Sequence, residues 1–319
     1  MSRWNVSNAR SFRNQLQIRD DGPFFVQNVA NSDIEIIDMY FNGWGGDEAF
    51  QLDNQVPLYV SEYLDMYLVN ETGVELEGGA IEVDGRGTMM ATKSSVLENG
   101  RNPDLTQAQV EEAITEYLGV QNFIWLDGAY GGRADITDYH IDGFARFGNS
   151  NTIVTMSNSD LLYWGISQKD ADTLFAATDM DGNAYNFLEL PLSQNNVVTT
   201  YGEDLGFRGS YVNFYTGNSV VLIPSYNDPM DEVARTKLQT LYPDRTVVSI
   251  PAANVLKNGG MIHCVTKQEA AGTTMPQTPS DQQMIQDELD DEEKSAGVLA
   301  DVGLVRTAMA ASALMLLLW

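Results

Sequence analysis

Ala80-Ile81-Glu82-Val83, Asp84-Gly85-Arg86-Gly87 and Thr88-Met89-Met90-Ala91-Thr92 read as two short strands joined by a tight turn, because two apolar runs around an Asp-Gly pair are a strong local hairpin signal. Residues 106–118 follow as a helix. Val110, Ala113, Ile114 and Tyr117 fall at helical spacing, Thr106 and Gln109 stand as a capping box, and Gly119 supplies the stop. Phe123-Ile124-Trp125-Leu126 then closes the unit as a short buried strand. The order is strand, strand, helix, strand.

Read outward, the same order recurs. On the N-terminal side, Phe24-Phe25-Val26 and residues 32–41 are expected as strands and residues 57–68 as a helix, with Pro57 in its first turn. On the C-terminal side, strands near Phe144 and Ile153, a helix around 167–178 and a strand over 187–190 make a looser copy. Another copy places strands at 211–215 and 219–223, a helix over 229–241 capped by Asp228 and stopped by Pro243, and a strand over 246–250. Recurrence every roughly 45 to 65 residues predicts an α/β fold of small units arrayed radially, with loops and strand ends converging on one centre.

The 319 residues fit one large domain or two, and 43% hydrophobic with 20% charged residues fits a globular chain with a sizeable core. Forty-five acidic against 18 basic residues give a net charge of -27. That charge repels a polyanion and so argues against nucleic acid as a partner; it suits a small cationic substrate, and a halophilic surface reads the same way. One cysteine excludes an intramolecular disulfide framework, and no Cys or His spacing points to zinc. Asp179-Met180-Asp181-Gly182-Asn183 opens like a calcium loop, but its glycine falls too early, so a turn is expected. Asn5-Val6-Ser7 and Asn70-Glu71-Thr72 match glycan acceptor patterns, which matter only in a secreted chain.

Residues 1–17 lack the apolar core of a signal peptide. At the other end an acidic run, Asp287 to Lys294, precedes the apolar stretch Ala308 to Trp319, which is too short to span a bilayer comfortably. It reads as a membrane-associated helix or an imperfect lipid-anchor signal. A cytoplasmic location is the default, with membrane anchoring if this tail is functional.

Chemistry concentrates in Gly259-Gly260-Met261-Ile262-His263-Cys264, which holds the only cysteine and one of two histidines. A thiolate is a strong nucleophile whose reactivity depends on neighbouring charge, although a lone cysteine is most often a small buried apolar residue. The other histidine lies in Asp138-Tyr139-His140-Ile141-Asp142. Alternation along an extended strand would put Asp138, His140 and Asp142 on one face. Such a face is costly to bury without a ligand or counter-charge; left in solvent, it needs neither.

Five stretches carry a family resemblance: Arg19-Asp20-Asp21-Gly22-Pro23, Glu77-Gly78-Gly79-Ala80-Ile81, Thr137-Asp138-Tyr139-His140-Ile141-Asp142, Ser210-Tyr211-Val212-Asn213-Phe214 and the Gly259–Cys264 run. In this order the chain resembles the agmatine deiminases, relatives of the bacterial peptidylarginine deiminases in the guanidino-modifying superfamily. The resemblance covers about residues 18–270 and implies a pentein-type five-fold α/β propeller with a central active site. It further implies that Cys264 attacks the guanidinium carbon, that His140 is the general acid and base, and that Asp20 and Asp142 grip the guanidinium nitrogens. Asn213 is expected to contact substrate, and neither a metal nor another cofactor is required. The physical logic agrees, since a delocalised guanidinium must be held by carboxylates while a thiolate is placed at its carbon.

The implied organisation is an N-terminal remnant (1–17), a catalytic domain (18–270), an acidic linker (271–294) and a hydrophobic tail (295–319). The sequence departs from the family at Met261, where asparagine is usual, and at Asp21 and Phe24. The first motif starts at Arg19, where family members carry much of a propeller unit before it, so an incomplete ring with open strand edges is expected. Agmatine deimination is the leading expectation. Deimination of arginine or peptidyl arginine, and a silent guanidinium-binding scaffold, stay open, as do membrane association through the tail and homo-oligomerisation.

Overall fold

Four three-stranded sheets repeat one plan in the computed structural model, which describes residues 16–28, 33–70, 72–98, 100–129 and 135–269. The first holds β1 (Phe24–Gln27), β2 (Ile34–Ile37) and β3 (Leu68–Val69); the second β4 (Ile81–Val83), β5 (Thr88–Thr92) and β6 (Asn122–Leu126). The third holds β7 (Ala145–Asn149), β8 (Thr152–Met156) and β9 (Asn186–Leu190). Between it and the last sheet lies a two-stranded ribbon, β10 (Leu192–Val198) with β11 (Asp204–Ser210). The last sheet is β12 (Tyr215–Thr216), β13 (Val220–Ser225) and β14 (Thr246–Pro251).

In each sheet the first two strands pair antiparallel and the third runs parallel to the second. A parallel partner cannot be reached by a tight turn and needs a crossover. Helices Val56–Leu64, Gln107–Leu118, Gln168–Phe175 and Met230–Leu241 lie in those crossovers, each the longest helix in its own.

The second unit shows why the pattern folds this way. Asp84 Oδ1 accepts hydrogen bonds from the backbone N–H groups of Arg86 and Thr88 at 2.7 and 2.9 Å, closing the hairpin turn. The helix starts at the expected capping box, with Thr106 and Gln109 bonding reciprocally, and stops at Gly119, whose φ of 69° is left-handed. Val110 and Ile114 are fully buried against Ile81, Met89 and Ala91 of the sheet. Full burial of each such aliphatic side chain contributes about 1.5–3 kcal/mol.

Three expectations need correction. The helix expected over 57–68 ends at Leu64, because Asp65 turns left-handed (φ 53°), which frees Leu68 and Val69 to form β3. The expected strand at 211–215 is a strand only from Tyr215; before it the backbone turns, with Val212 N–H donating to Ser210 Oγ and Phe214 N–H to Val212 C=O. Residues 32–41 form a strand only over Ile34–Ile37. The Asp179 stretch is a turn, with Asp179 Oδ1 accepting from the N–H groups of Asp181 and Asn183.

Residues 1–15, the linker, the tail, the first glycan pattern and Glu71 of the second lie outside the described residues. Among the described residues no helix is long and apolar enough to cross a membrane.

Candidate active site

Asp20 sits on the short helix Ile18–Asp21, which is docked against the cysteine loop. Arg19 N–H donates to the Cys264 carbonyl (3.1 Å), Arg19 Nε to the His263 carbonyl (3.2 Å), and Lys267 Nζ to the Arg19 carbonyl (2.9 Å). The Asp20 carboxylate is buried. Its Oδ1 accepts from Gly79 N–H at 2.9 Å and its Oδ2 from Trp44 Nε1–H at 3.0 Å. Trp44 reaches inward because residues 43–46 form a glycine-rich turn in which its own φ is 56°, and Phe41 meets its ring edge-on at 5.0 Å.

Gly79 is the point on which the site closes. A Cβ there would stand 2.6 Å from His140 Nδ1, 2.8 Å from Asp20 Oδ1 and 3.1 Å from Asp142 Oδ2. No side chain fits, so glycine is required for the approach of all three groups. Glu77, two residues earlier, accepts through Oε2 from His140 Nε2–H at 2.6 Å. Burial alone would lower the His140 pKa, but the Asp20 charge, the Glu77 bond and charge and the Asp142 charge outweigh it and hold it up to about 9.

The backbone delivering His140 is not the extended strand expected from alternation. Asp138 and Tyr139 are both left-handed, with φ of 57° and 65°, and His140 leads into a 3-10 turn over Ile141–Gly143. Asp138 therefore does not share a face with His140 and Asp142; it is fully buried and pairs with Arg101 Nη1. Left-handed non-glycine residues cost about 1–3 kcal/mol each unless their surroundings hold them. Here Ser94 Oγ–H donates to the Asp138 carbonyl (2.7 Å) and Thr92 Oγ1–H to that of Tyr139 (2.9 Å). Arg101, 1% exposed, also donates through Nε and Nη2 to Glu77 at 3.0 and 3.2 Å. One buried guanidinium thus fixes both the histidine's partner and the loop that carries the histidine.

Asp142, 1% exposed, faces the cysteine loop. Its Oδ2 lies 2.7 Å from His263 Nδ1 and 3.8 Å from Cys264 Sγ. Burial raises the Asp142 pKa to about 7, with His140 opposing the rise and Asp20 adding to it. Cys264 is half-buried, and its thiol is pushed well above the usual value, first by burial and then by the charges of Asp142 and Asp20. An unliganded site therefore holds a thiol, and an arriving cation would favour the thiolate.

Asn213 is wholly buried and ties these parts together. Its Oδ1 accepts from His263 N–H (2.9 Å) and Cys264 N–H (3.4 Å) and lies 3.5 Å from Sγ, while its Nδ2 donates to the Asp142 carbonyl (3.2 Å). Gly260 lets the loop fold back on itself, since a Cβ there would lie 3.0 Å from Cys264 Cβ.

The structure thus gathers all five residues expected from sequence, Asp20, His140, Asp142, Asn213 and Cys264. It adds Glu77, Arg101, Trp44 and His263. Glu77 carried a signal, as the residue before the paired glycines, and His263 one as the cysteine's neighbour; Arg101 and Trp44 carried none. Among the described residues no cluster of three or more His, Cys, Asp or Glu is suited to a metal.

The sequence profile of the Porphyromonas-type peptidyl-arginine deiminases matches residues 9–270. A Latilactobacillus sakei protein whose name provisionally assigns it as an agmatine deiminase is 38% identical over 293 residues, covering 84% of this chain and 78% of its own. The Pseudomonas syringae agmatine deiminase is 33% identical over 297 residues, covering 84% and 77%. Among solved structures, the agmatine deiminase of Enterococcus faecalis superposes with a TM-score of 0.70 at 30% identity, over 79% of this chain and 74% of that one.

Proposed function

The chain belongs to the Porphyromonas-type peptidyl-arginine deiminase family, and from that membership and the site geometry we propose that it hydrolyses agmatine to N-carbamoylputrescine and ammonia through a covalent cysteine intermediate. The observation that carries the proposal is the pair of buried carboxylates, Asp20 and Asp142, brought to one glycine beside the only thiol in the chain. Buried carboxylates in such a cluster call for a cation, and a planar guanidinium offers paired N–H donors to both.

In the proposed reaction the guanidinium enters between Asp20 and Asp142, and the Cys264 thiol loses its proton to solvent as the cation fills the site. The thiolate adds to the guanidinium carbon. Protonated His140, backed by Glu77, gives its proton to a terminal nitrogen; the carbon–nitrogen bond breaks and ammonia leaves, with an amidino group now on sulfur. Neutral His140 takes a proton from water and the hydroxide adds to the same carbon; the carbon–sulfur bond then breaks while the added hydroxyl loses its proton to solvent, releasing the ureido product and the thiolate. Asn213 holds the cysteine loop and Asp142 in register from behind.

Residues 18–270 form the catalytic domain in this reading, and its repeated units are arranged as the family's five-fold propeller around the site; the four three-stranded sheets support that arrangement. The partner is a small guanidino cation, and the charge of -27 disfavours nucleic acid. Agmatine is favoured over arginine by the names of the relatives. The test is ammonia release from agmatine, free arginine and a blocked arginine peptide, with Cys264→Ala as control. Release from agmatine at a kcat/KM at least tenfold above the others, lost in Cys264→Ala, is expected; preference for either arginine compound overturns the substrate, and activity without the thiol overturns the covalent route.

A further inference from the structure

His263 has no step in the reaction above, yet it is 3% exposed and its ring lies between two buried acids. Its Nδ1 is 2.7 Å from Asp142 Oδ2, and its Nε2 is 3.8 Å from Glu82 Oε1, too far for a hydrogen bond. Its backbone is pinned as well, with N–H donating to Asn213 Oδ1 and C=O accepting from Arg19 Nε. Among the described residues the ring makes one hydrogen bond, that to Asp142.

We infer that His263 is the positioning residue of Asp142: a neutral imidazole whose Nδ1–H donates to Oδ2, fixing that carboxylate toward the guanidinium and toward Cys264. The inference rests on the proposed deimination for its kinetic part only. A bare Nδ1 against an ionised carboxylate at 2.7 Å would set lone pair against lone pair, so the proton belongs on Nδ1. A second proton on the ring is opposed by burial and by the charges of Arg146, Arg19, Lys267 and His140. Arg146 is in turn engaged by Glu82, through Nε to Oε1 at 2.6 Å.

The other groups facing Asp142 are His140, Asp20, Arg146, Glu82 and the Cys264 thiol. A donor to the ionised carboxylate favours that form. Without it, the carboxyl would titrate above the value of about 7 that it holds in the intact site.

Two measurements test this. Because the chain has only two histidines, imidazole-15N NMR of the full protein resolves both tautomers, with His140→Asn assigning the remaining ring. His263 is expected neutral and protonated at Nδ1 at pH 8 to 9, where the Asp142 carboxyl is ionised; an Nε2-protonated ring or an imidazolium there overturns the inference. In kinetics, His263→Leu is expected to raise KM for agmatine at least tenfold and to move the acidic limb of kcat/KM up by about one to two pH units. His263→Asn, whose amide nitrogen stands where Nδ1 stood, is expected to restore most of both. A limb that stays put in folded His263→Leu, or asparagine no better than leucine, also overturns it. If wild-type protein releases no ammonia from agmatine, the reaction is refuted, while the ring's tautomer still decides the role of His263; the tautomer decides equally if His263→Leu fails to fold.

Discussion

Replacing Gly79 with alanine adds one methyl group at the point where the site closes. The new Cβ would stand 2.6, 2.8 and 3.1 Å from His140 Nδ1, Asp20 Oδ1 and Asp142 Oδ2, all inside the 3.4 Å at which ordinary contact begins. The backbone cannot retreat freely, because Gly79 N–H donates to Asp20 and its carbonyl accepts from Asp142 N–H. Nor can His140 swing away without stretching its 2.6 Å bond to Glu77. The clash is therefore taken up as displacement of the groups that would grip and protonate the substrate. A misplacement approaching 1 Å costs about a hundredfold in rate, and the overpacking itself costs about 1–3 kcal/mol of stability. Coupled ammonia detection on agmatine, alongside urea unfolding, should show kcat/KM down about a hundredfold in a protein that remains folded at 25 °C. Wild-type kcat/KM in Gly79→Ala would refute the claim that these three groups act from the positions described.

Other outcomes follow from the same geometry. Arg101→Leu removes the cation shared by Glu77 and Asp138 and should cost about 3–5 kcal/mol in chemical denaturation; a loss under 1 kcal/mol would remove Arg101 from its bracing role. His140 binds its proton more tightly folded (about 9) than unfolded (6.5), so this stabilisation is complete below pH 6.5 and lost as pH climbs through 9. Wild type should accordingly lose about 3 kcal/mol relative to His140→Asn between pH 6 and 10, and a difference that stays flat across this range counts against a protonated His140. Trp44→Phe keeps the aromatic packing on Phe41 but deletes the donor to Asp20 Oδ2; KM for agmatine should rise about tenfold, and an unchanged KM would show that this bond does not hold Asp20 for the substrate.

How much was legible in the sequence depended on what each feature asks of its neighbours. The β4–β5 hairpin and the helix after it announce themselves through local signals, an Asp-Gly turn, a capping box and a terminal glycine, and all are found where expected. Cys264 and His140 stand out because their residue types are so rare here. Arg101 could not be found that way: a buried arginine looks like any surface arginine until the fold brings Glu77, 24 residues back, and Asp138, 37 residues on, against it. The His263–Asp142 pair spans 121 residues and has no local trace. Alternation misplaced Asp138 because it assumes extended backbone, and two successive left-handed residues break that assumption. The β10–β11 ribbon escaped notice because its outward-facing Gln194, Asn195 and Asn196 lack an apolar rhythm.

The three hydrogen bonds that fasten Arg19 to residues 263–267 join stretches more than 240 positions apart. On a ribosome, the anion Asp20 emerges 244 residues ahead of the sulfur, so the site cannot assemble before the loop around Cys264 clears the exit tunnel. Closing so long a span is slow, since its entropic cost precedes any reward. A chain released before residue 264, or nicked between Asp142 and Cys264 and dissociated, keeps His140 and both acids but never brings the sulfur to them.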